Sequence, residues 1–310
     1  MFSYKYEVPD KKKYRVIIHT DCKNEADDQF ALAHVLMTPK FIVRGIIAGH
    51  FDAHAQQWGK EQTVQASYDE IIKILNLMGL EGVYKDRVFK GASHALFDEN
   101  DCIDTPGARF IIEEAMREDE RPLFVLMQGA ITDLACAVKL EPRLCQRLTA
   151  VWIGGGPWPE GGEEFNLWND IAAANIVFKS ELPLWQIPMD VYKKLSVSLA
   201  ELQLKVYPCG ELGKYLFTQM VDYNMKNAEE AIWPHGEIWG LGDQAVIGVL
   251  MEELERKNYE LVPAPAVDAH MRYIPCDGAR KIRVYKDIDV RCTLEDFFAK
   301  LAINFGSRKV

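Results

Sequence analysis

Short apolar runs alternate along the first two thirds of the chain with segments whose apolar residues recur at helical spacing. The runs indicate buried strands, because they are nearly continuous in Val, Ile, Leu and aromatic residues. The predicted strands are Tyr14–Thr20, Phe41–Ala48, Pro122–Gln128, Thr149–Ile153 and Leu182–Pro188. The predicted helices between them are Asp27–Met37, Glu61–Met78, Ala108–Arg117, Thr132–Leu140 and Ile171–Lys179. This alternation predicts an α/β fold with a mostly parallel sheet flanked by helices.

The last third of the chain has a different pattern, with long helical periods and few apolar runs. Its predicted elements are helices at Leu199–Val206, Leu212–Lys226 and Asp243–Arg256, a hairpin-like stretch at Lys281–Val290, and a closing helix at Leu294–Ile303. No stretch rich in Pro, Gly or Ser is long enough to act as a linker. The sequence therefore predicts a single domain over residues 1–310 with a helical C-terminal part.

Composition narrows the class of protein. Of the 310 residues, 48% are hydrophobic and 26% are charged, as is typical of soluble globular proteins. The formal net charge of −10 argues against binding to a nucleic-acid backbone. No apolar run is long enough to span a membrane, and the first residues show no apolar segment of the kind that a signal peptide has before its cleavage site. Seven scattered cysteines without a CxxC pair favour reduced thiols, so we expect a cytoplasmic protein.

An acidic loop follows the first predicted strand. Asp21, Glu25, Asp27 and Asp28 lie within eight positions of one another, with Lys23 as the one basic residue among them. Carboxylates placed so close together repel one another, and a hard cation with oxygen ligands would relieve that repulsion. The alternative is that the last two acids only interact with the dipole of a helix N-terminus.

Further motifs follow the later strands in a defined order. They are Gly129-Ala130-Ile131-Thr132, Gly154-Gly155-Gly156, Glu164-Phe165-Asn166, Trp168-Asn169-Asp170 and Trp239-Gly240-Leu241-Gly242-Asp243. Together with the acidic loop, this ordered set resembles the inosine–uridine nucleoside hydrolase family over about residues 14 to 300. The resemblance implies a Rossmann-like sheet with one Ca²⁺ at the strand ends. It also implies Ca²⁺-dependent hydrolysis of the N-glycosidic bond of a ribonucleoside to free base and ribose, in a homo-oligomer.

The resemblance also implies roles for individual residues. Ca²⁺ would be held by Asp21, Asp28, Asp243 and the backbone carbonyl of Thr132, and Asp21 would act as the general base. The ribose would be bound by Asp27, Glu164 and Asn166, with Asn24 as a further substrate contact. The candidates for assisting the leaving base are His50, His235 and Trp239. Trp239 could stack on a purine or pack at a rim.

The sequence departs from the family pattern at three places. The loop between Asp21 and Asp27 is two residues longer than usual if Asp21 takes the second aspartate of the family motif; without a gap, Lys23 would stand there, and a lysine cannot bind a cation. In this longer loop, Glu25 could be an additional ligand or base. His50 stands where the family usually has Asn, and Gly242 stands where it usually has His.

Other hypotheses stay open at this stage. His50 and His54 have a spacing that can bind zinc on a helix, although no third ligand is evident. The departures also allow a divergent glycoside hydrolase that acts on another sugar. A further alternative is a protein that binds a metal and a sugar without catalysis.

Overall fold

The computed structural model describes residues 2, 4–53, 58–59, 61–229, 234–252 and 256–306. Its strands are β1 (Tyr14–Thr20), β2 (Phe41–Ala48), β3 (Val88–Lys90), β4 (Leu123–Met127), β5 (Thr149–Ile153), β6 (Leu184–Ile187), β7 (Ser196–Ser198), β8 (Ile238–Gly240), β9 (Tyr259–Pro263), β10 (Ala266–Val267), β11 (Tyr273–Ile274) and β12 (Lys281–Tyr285). Its α-helices are α1 (Asp28–Met37), α2 (Thr63–Leu77), α3 (Glu81–Tyr84), α4 (Pro106–Met116), α5 (Thr132–Leu140), α6 (Phe165–Asn169), α7 (Ile171–Lys179), α8 (Met189–Tyr192), α9 (Leu199–Lys205), α10 (Gly210–Ala228), α11 (Ala245–Met251) and α12 (Val290–Phe305).

Eight strands of the described chain form the central sheet, in the order β3-β2-β1-β4-β5-β6-β12-β9. Their pairing is parallel throughout, except that β9 runs antiparallel to β12 at one edge. The strand order reverses between β1 and β4, which are direct neighbours in the sheet. In an open α/β sheet, a crevice forms at the carboxyl ends of the strands where the order reverses. The loops after β1 and β4 therefore border the expected binding crevice.

Both faces of the sheet are covered by apolar side chains. Val16 and Ile18 of β1 belong to the cluster on one face, which includes helix α1. Ile17 belongs to the cluster on the other face, which includes residues of α4 and α5. Because side chains of a strand alternate between faces, the continuous apolar run of β1 fills both cores at once. Helix α1 is buried on all sides, as expected for a helix that lies between the sheet and other helices.

The predicted α/β class and the mostly parallel sheet are confirmed, while the edge of the sheet differs from the prediction. The stretch Lys281–Val290 is not a hairpin: it contains the single strand β12, whose antiparallel partner is β9. Alternation of polar and apolar residues is weak in β9, where Leu261 is largely exposed. The helix predicted over Asp243–Arg256 begins as a 3₁₀ turn at Gly242–Gln244 and becomes α-helical only at α11.

Prediction of one domain over residues 1–310 stays a prediction. Within the described residues, no helix combines enough length and apolarity to cross a membrane.

A buried ion pair joins the start of the sheet to helix α4. Arg15 and Glu114 are both almost fully buried, and Arg15 Nη1 lies 3.0 Å from Glu114 Oε1. Glu114 also accepts hydrogen bonds from Arg44 and Arg117. We expect Glu114→Ala to lower the free energy of unfolding by about 3 kcal/mol, because it removes the nearer counter-charge of the buried Arg15 guanidinium and leaves Asp119, 3.8 Å from Arg15 Nε.

Chemical denaturation of the purified variant measures this loss. Glu113→Ala is the matched control, because Glu113 is exposed and lies 3.8 Å from Arg117. A Glu114→Ala variant as stable as this control would show that the buried pair does not stabilise the fold.

Candidate active site

Two adjacent cavities lie at the carboxyl ends of the central strands. The smaller one, here called the inner chamber, has a volume of about 60 Å³ and is lined by residues that include Asn24, Asp28, Gln128, Asn166 and Asp243. The larger one, the outer chamber, has a volume of about 710 Å³. The two share the wall residues Glu25, Asp27, Glu164, Phe165, Tyr192 and Gly242. A small polar compartment therefore shares a wall with a larger one.

Three carboxylates converge in the inner chamber. Oxygen atoms of Asp27, Asp28 and Asp243 all lie within 4.8 Å of one another, and all three side chains are buried. Burial and the neighbouring charge of Asp28 raise the pKa of Asp27 to about 7. Burial raises the pKa of Asp28 to about 6, although hydrogen bonds partly offset it. Burial and both neighbouring aspartates raise the pKa of Asp243. Without a cation, these three buried carboxyl groups therefore resist ionisation.

Asp21 lies directly beside this cluster, at the end of β1. Its side chain is fully buried, and this burial together with the charge of Asp28 raises the pKa of Asp21 well above its ordinary value. Asn24 Nδ2 donates to Asp21 Oδ2 at 2.9 Å, while Asp21 Oδ1 has no hydrogen-bond partner among the described residues. A Cβ atom at Gly129 would lie 2.8 Å from Asp21 Cγ, so only glycine after β4 leaves room for this carboxylate.

The loop after Asp21 keeps the Lys23 side chain away from the cluster of Asp27, Asp28 and Asp243. Lys23 Nζ lies 3.6 Å from Glu70, outside the acidic cluster. Lys23 has a φ of 120°, a conformation that costs a non-glycine residue about 1 to 3 kcal/mol. The next residues, Asn24 and Glu25, line the inner chamber. The structure thus places Asp21, and not Lys23, next to the cluster, as the longer-loop alignment expects.

Thr132 does not line either chamber, in contrast to its predicted place beside the metal. Its hydroxyl donates to Asp170 at 2.7 Å and bonds with His50 Nε2 at 2.8 Å. The residue that β4 delivers to the inner chamber is Gln128, which lies directly after the strand. Its Nε2 donates to the carbonyl of Asp243, and its Oε1 has no partner in the described part of the chain. Gln128, and not Thr132, is therefore the residue of this segment that lines the inner chamber.

Glu164 and Asn166 are both placed at the chambers, but their side chains are used differently. The carboxylate of Glu164 accepts hydrogen bonds from the backbone N–H groups of Gly155, Asn166 and Leu167 and from the Tyr192 hydroxyl. Four donors occupy the four acceptor sites of a carboxylate. Glu164 is thus a helix cap that fixes Tyr192, and it has no site left for the predicted ribose contact. Asn166 Nδ2 donates to the carbonyl of Ile153 at 2.9 Å, which leaves its amide oxygen available.

His50 lies beneath the site and does not reach it. Its side chain is fully buried and bonds with Thr132, and burial lowers its pKa to about 4. Neither chamber includes it among its described lining residues. His54, the second residue of the possible zinc pair, lies outside the described residues.

The leaving-base candidates Trp239 and His235 both line the outer chamber. Trp239 is 2% exposed and packs edge-on against Tyr223, with ring centroids 5.5 Å apart. His235 is exposed at the rim. Sequence reasoning missed Tyr192 and Lys193, which also line this chamber. The signal that could have found them is their place just after the predicted strand Leu182–Pro188.

Comparison with known proteins identifies the family of the chain. The family model described as inosine-uridine preferring nucleoside hydrolase matches residues 16–295. The chain belongs to this family. It is 21% identical over 235 residues to the pyrimidine-specific ribonucleoside hydrolase RihA of Salmonella agona, covering 69% of this chain and 72% of that protein. It is 26% identical over 134 residues to an inosine-uridine preferring nucleoside hydrolase of Leishmania major, covering 42% of each.

Solved structures share the fold. The purine-preferring ribonucleoside hydrolase from Gardnerella vaginalis superposes with a TM-score of 0.74 at 21% identity, covering 94% of this chain and 98% of that chain. Family membership makes this chain a hydrolase of N-glycosyl compounds of the ribonucleoside type. The family is metal-dependent in general, and the buried acidic cluster is in keeping with that property.

Proposed function

We propose that this enzyme uses Ca²⁺ to hydrolyse the N-glycosidic bond of a ribonucleoside, with free base and ribose as products. The observation that carries the proposal is the pairing of an inner chamber rich in carboxylates with a larger outer chamber lined by aromatic side chains. Ribose hydroxyls suit the first chamber, because carboxylate and amide oxygens accept their protons. A planar base suits the second, which Phe165, Trp168 and Trp239 help to line.

The donor set of the inner chamber fits a hard cation. Asp28 and Asp243 supply carboxylates, Asp21 has an oxygen without a partner, and Gln128 takes the place predicted for Thr132 as a neutral oxygen donor. All of these donors are oxygens, which is the preference of Ca²⁺. When bound, Ca²⁺ would act as a Lewis acid, which lowers the pKa of a water or hydroxyl group next to it.

The chain's own residues account for the remaining steps. Asp21 is proposed to take a proton from the attacking water, since its Oδ1 is buried, unpartnered and held in place by Asn24. Asp27, on the wall shared by the chambers, and Asn166 are proposed to bind the ribose hydroxyls. The surrounding carboxylates stabilise the positive charge that develops on the sugar as the bond to the base breaks.

Product analysis tests the proposed reaction. Wild-type enzyme with Ca²⁺ and a panel of inosine, guanosine, adenosine, uridine and cytidine is expected to release base and free ribose in equal amounts, at a rate independent of added phosphate. Release that requires phosphate and yields a sugar phosphate would contradict hydrolysis. Release from another glycoside and from none of these nucleosides would favour the divergent glycoside hydrolase.

The stabilising effect of Ca²⁺ is expected to grow as pH rises from about 4 to about 7. The folded pKa values of Asp27 and Asp28 lie above the ordinary aspartate value of 3.8. In metal-free protein, ionising these groups therefore costs stability progressively through this window, and Ca²⁺ removes that cost. Thermal unfolding with Ca²⁺ and with chelator, at pH 5 and pH 8, measures the difference. An equal Ca²⁺-induced shift in Tm at both pH values would contradict the assignment of the cation to this cluster.

We also infer a cytoplasmic homo-oligomer that acts on a small molecule and binds neither nucleic acid nor membrane. The net charge of −10 argues against nucleic acid as a partner, and the scattered cysteines favour the cytoplasm. The family resemblance supports the homo-oligomer. Light scattering of the purified protein tests the oligomeric state, with a monomer as the contradicting result.

A further inference from the structure

Among its described lining residues, the outer chamber has one lysine, Lys193, whose side chain is exposed, and no arginine. The acidic side chains around the same cavity are those of Glu25, Asp27, Glu163 and Glu164. Lys193 makes no salt bridge within 4.0 Å to a described residue, although its charge acts on Glu25. Four carboxyl groups around one lysine disfavour a phosphate ligand. The ammonium is therefore suited to a neutral ligand that offers an acceptor oxygen.

The chain after β6 turns so that three consecutive residues have different surroundings. Tyr192 is fixed by its hydrogen bond to Glu164 on the wall between the chambers. Lys193 ends the turn of α8, where its backbone N–H donates to the carbonyl of Met189. Lys194 Nζ lies 2.9 Å from Asp287 and also donates to the carbonyl of Lys286, outside both chambers. Lys193 and Lys194 therefore form a natural pair, one at the cavity and one away from it.

The residue before Asp243 cannot provide a proton donor for the leaving base. That residue is Gly242, and a Cβ atom there would lie 2.8 Å from the ring of Tyr192. Tyr192 itself already donates its hydroxyl proton to Glu164. Side-chain donors on other described lining residues of the outer chamber are those of Ser196, His235, Trp239 and Lys193, and of these Lys193 is the one that carries an ammonium group.

We propose that Lys193 determines base specificity by donating a hydrogen bond to an exocyclic oxygen of the leaving base. This inference rests on the proposed function and adds to it the residue that would favour nucleosides of oxo-bases, such as hypoxanthine, guanine or uracil, over adenosine. As the bond from C1′ to the base nitrogen breaks, its electron pair moves to the base and spreads onto the exocyclic oxygen. Lys193 stabilises that charge, water adds to C1′ while giving a proton to Asp21, and the released base takes a proton from solvent.

The test compares substrates across two adjacent lysines. In wild type, kcat/KM is expected to be higher for at least one of inosine, guanosine and uridine than for adenosine, which has no exocyclic oxygen. Lys193→Met is expected to lower kcat/KM for the oxo-nucleosides by about 10- to 100-fold, as loss of a hydrogen bond to a charged group predicts. The same variant should change the value for adenosine by less than about threefold. Lys194→Met is the matched control, and it should change neither.

A substrate with an activated leaving group separates specificity from a structural effect. The 4-nitrophenyl riboside leaves as a stable anion, so Lys193→Met should turn it over nearly as well as wild type does. Equal losses on all substrates, or no loss on any, would overturn the role of Lys193 while the proposed hydrolase function stands. Absence of hydrolysis of every nucleoside by the folded, Ca²⁺-loaded wild type would instead overturn the proposed function, and this inference with it.

Discussion

Asp243→Asn is expected to abolish stoichiometric Ca²⁺ binding and to lower kcat/KM by about 10³-fold or more. Asp243 is buried, and its carboxylate is one of the three that lie within 4.8 Å of one another. The substitution keeps the shape of the side chain but removes one negative charge and one strong oxygen donor. The loss therefore reports on the charge of the cluster, not on packing. Calorimetric titration with Ca²⁺ and base-release kinetics measure the two effects.

The same variant carries a second expectation of opposite sign. Without metal, Asp243→Asn should be more stable than wild type at neutral pH, because it removes one charge from a buried, mutually repelling group. Asp287→Asn is the control, since Asp287 pairs with Lys194 at the surface. Unchanged Ca²⁺ affinity in Asp243→Asn, or lower metal-free stability than wild type, would contradict the cation-binding role of the cluster.

Asp21→Asn is expected to lower kcat by about 10² to 10⁴-fold, the usual contribution of a general base. Asn fits the same space beside Gly129, but it cannot accept a proton from water. If proton transfer is its main task, Ca²⁺ affinity should fall much less than in Asp243→Asn. Single-turnover kinetics at saturating Ca²⁺, together with Ca²⁺ titration, separate the two losses.

One control variant and two possible outcomes decide the role of Asp21. Asp104→Asn is a suitable surface control, because Asp104 is exposed and pairs with the exposed Arg109. Full activity in Asp21→Asn would exclude Asp21 as the base. A loss of Ca²⁺ affinity as large as that in Asp243→Asn would make Asp21 primarily a ligand.

The central sheet could be predicted because its strands are apolar on both faces. β1 and β5 match their predicted bounds, since a strand covered on both sides leaves a continuous apolar run. The edge could not be predicted in the same way. β9 has one neighbouring strand in the sheet and exposes Leu261, so its sequence pattern does not identify it as a buried strand. Its pairing with β12 depends on tertiary contacts that no local pattern records.

The acidic part of the site was also accessible from sequence, because the residues after β1 must lie at the binding edge of the sheet. The directions in which individual side chains point could not be predicted from the sequence. His50 also follows a strand, yet it turns beneath the site to Thr132. Glu164 reaches the site but is saturated by hydrogen bonds. Such outcomes depend on partners far away in the chain, such as Tyr192 for Glu164.

Metal-dependent base release is the most direct test of the account. Wild-type enzyme is stripped with chelator, assayed for base and ribose with inosine and uridine, and assayed again after Ca²⁺ is restored. The account predicts no release from the stripped enzyme, recovery with Ca²⁺, and no recovery in Asp243→Asn. Release that survives chelation and is unaffected by Asp243→Asn would contradict the claim that the acidic cluster and its cation form the catalytic centre.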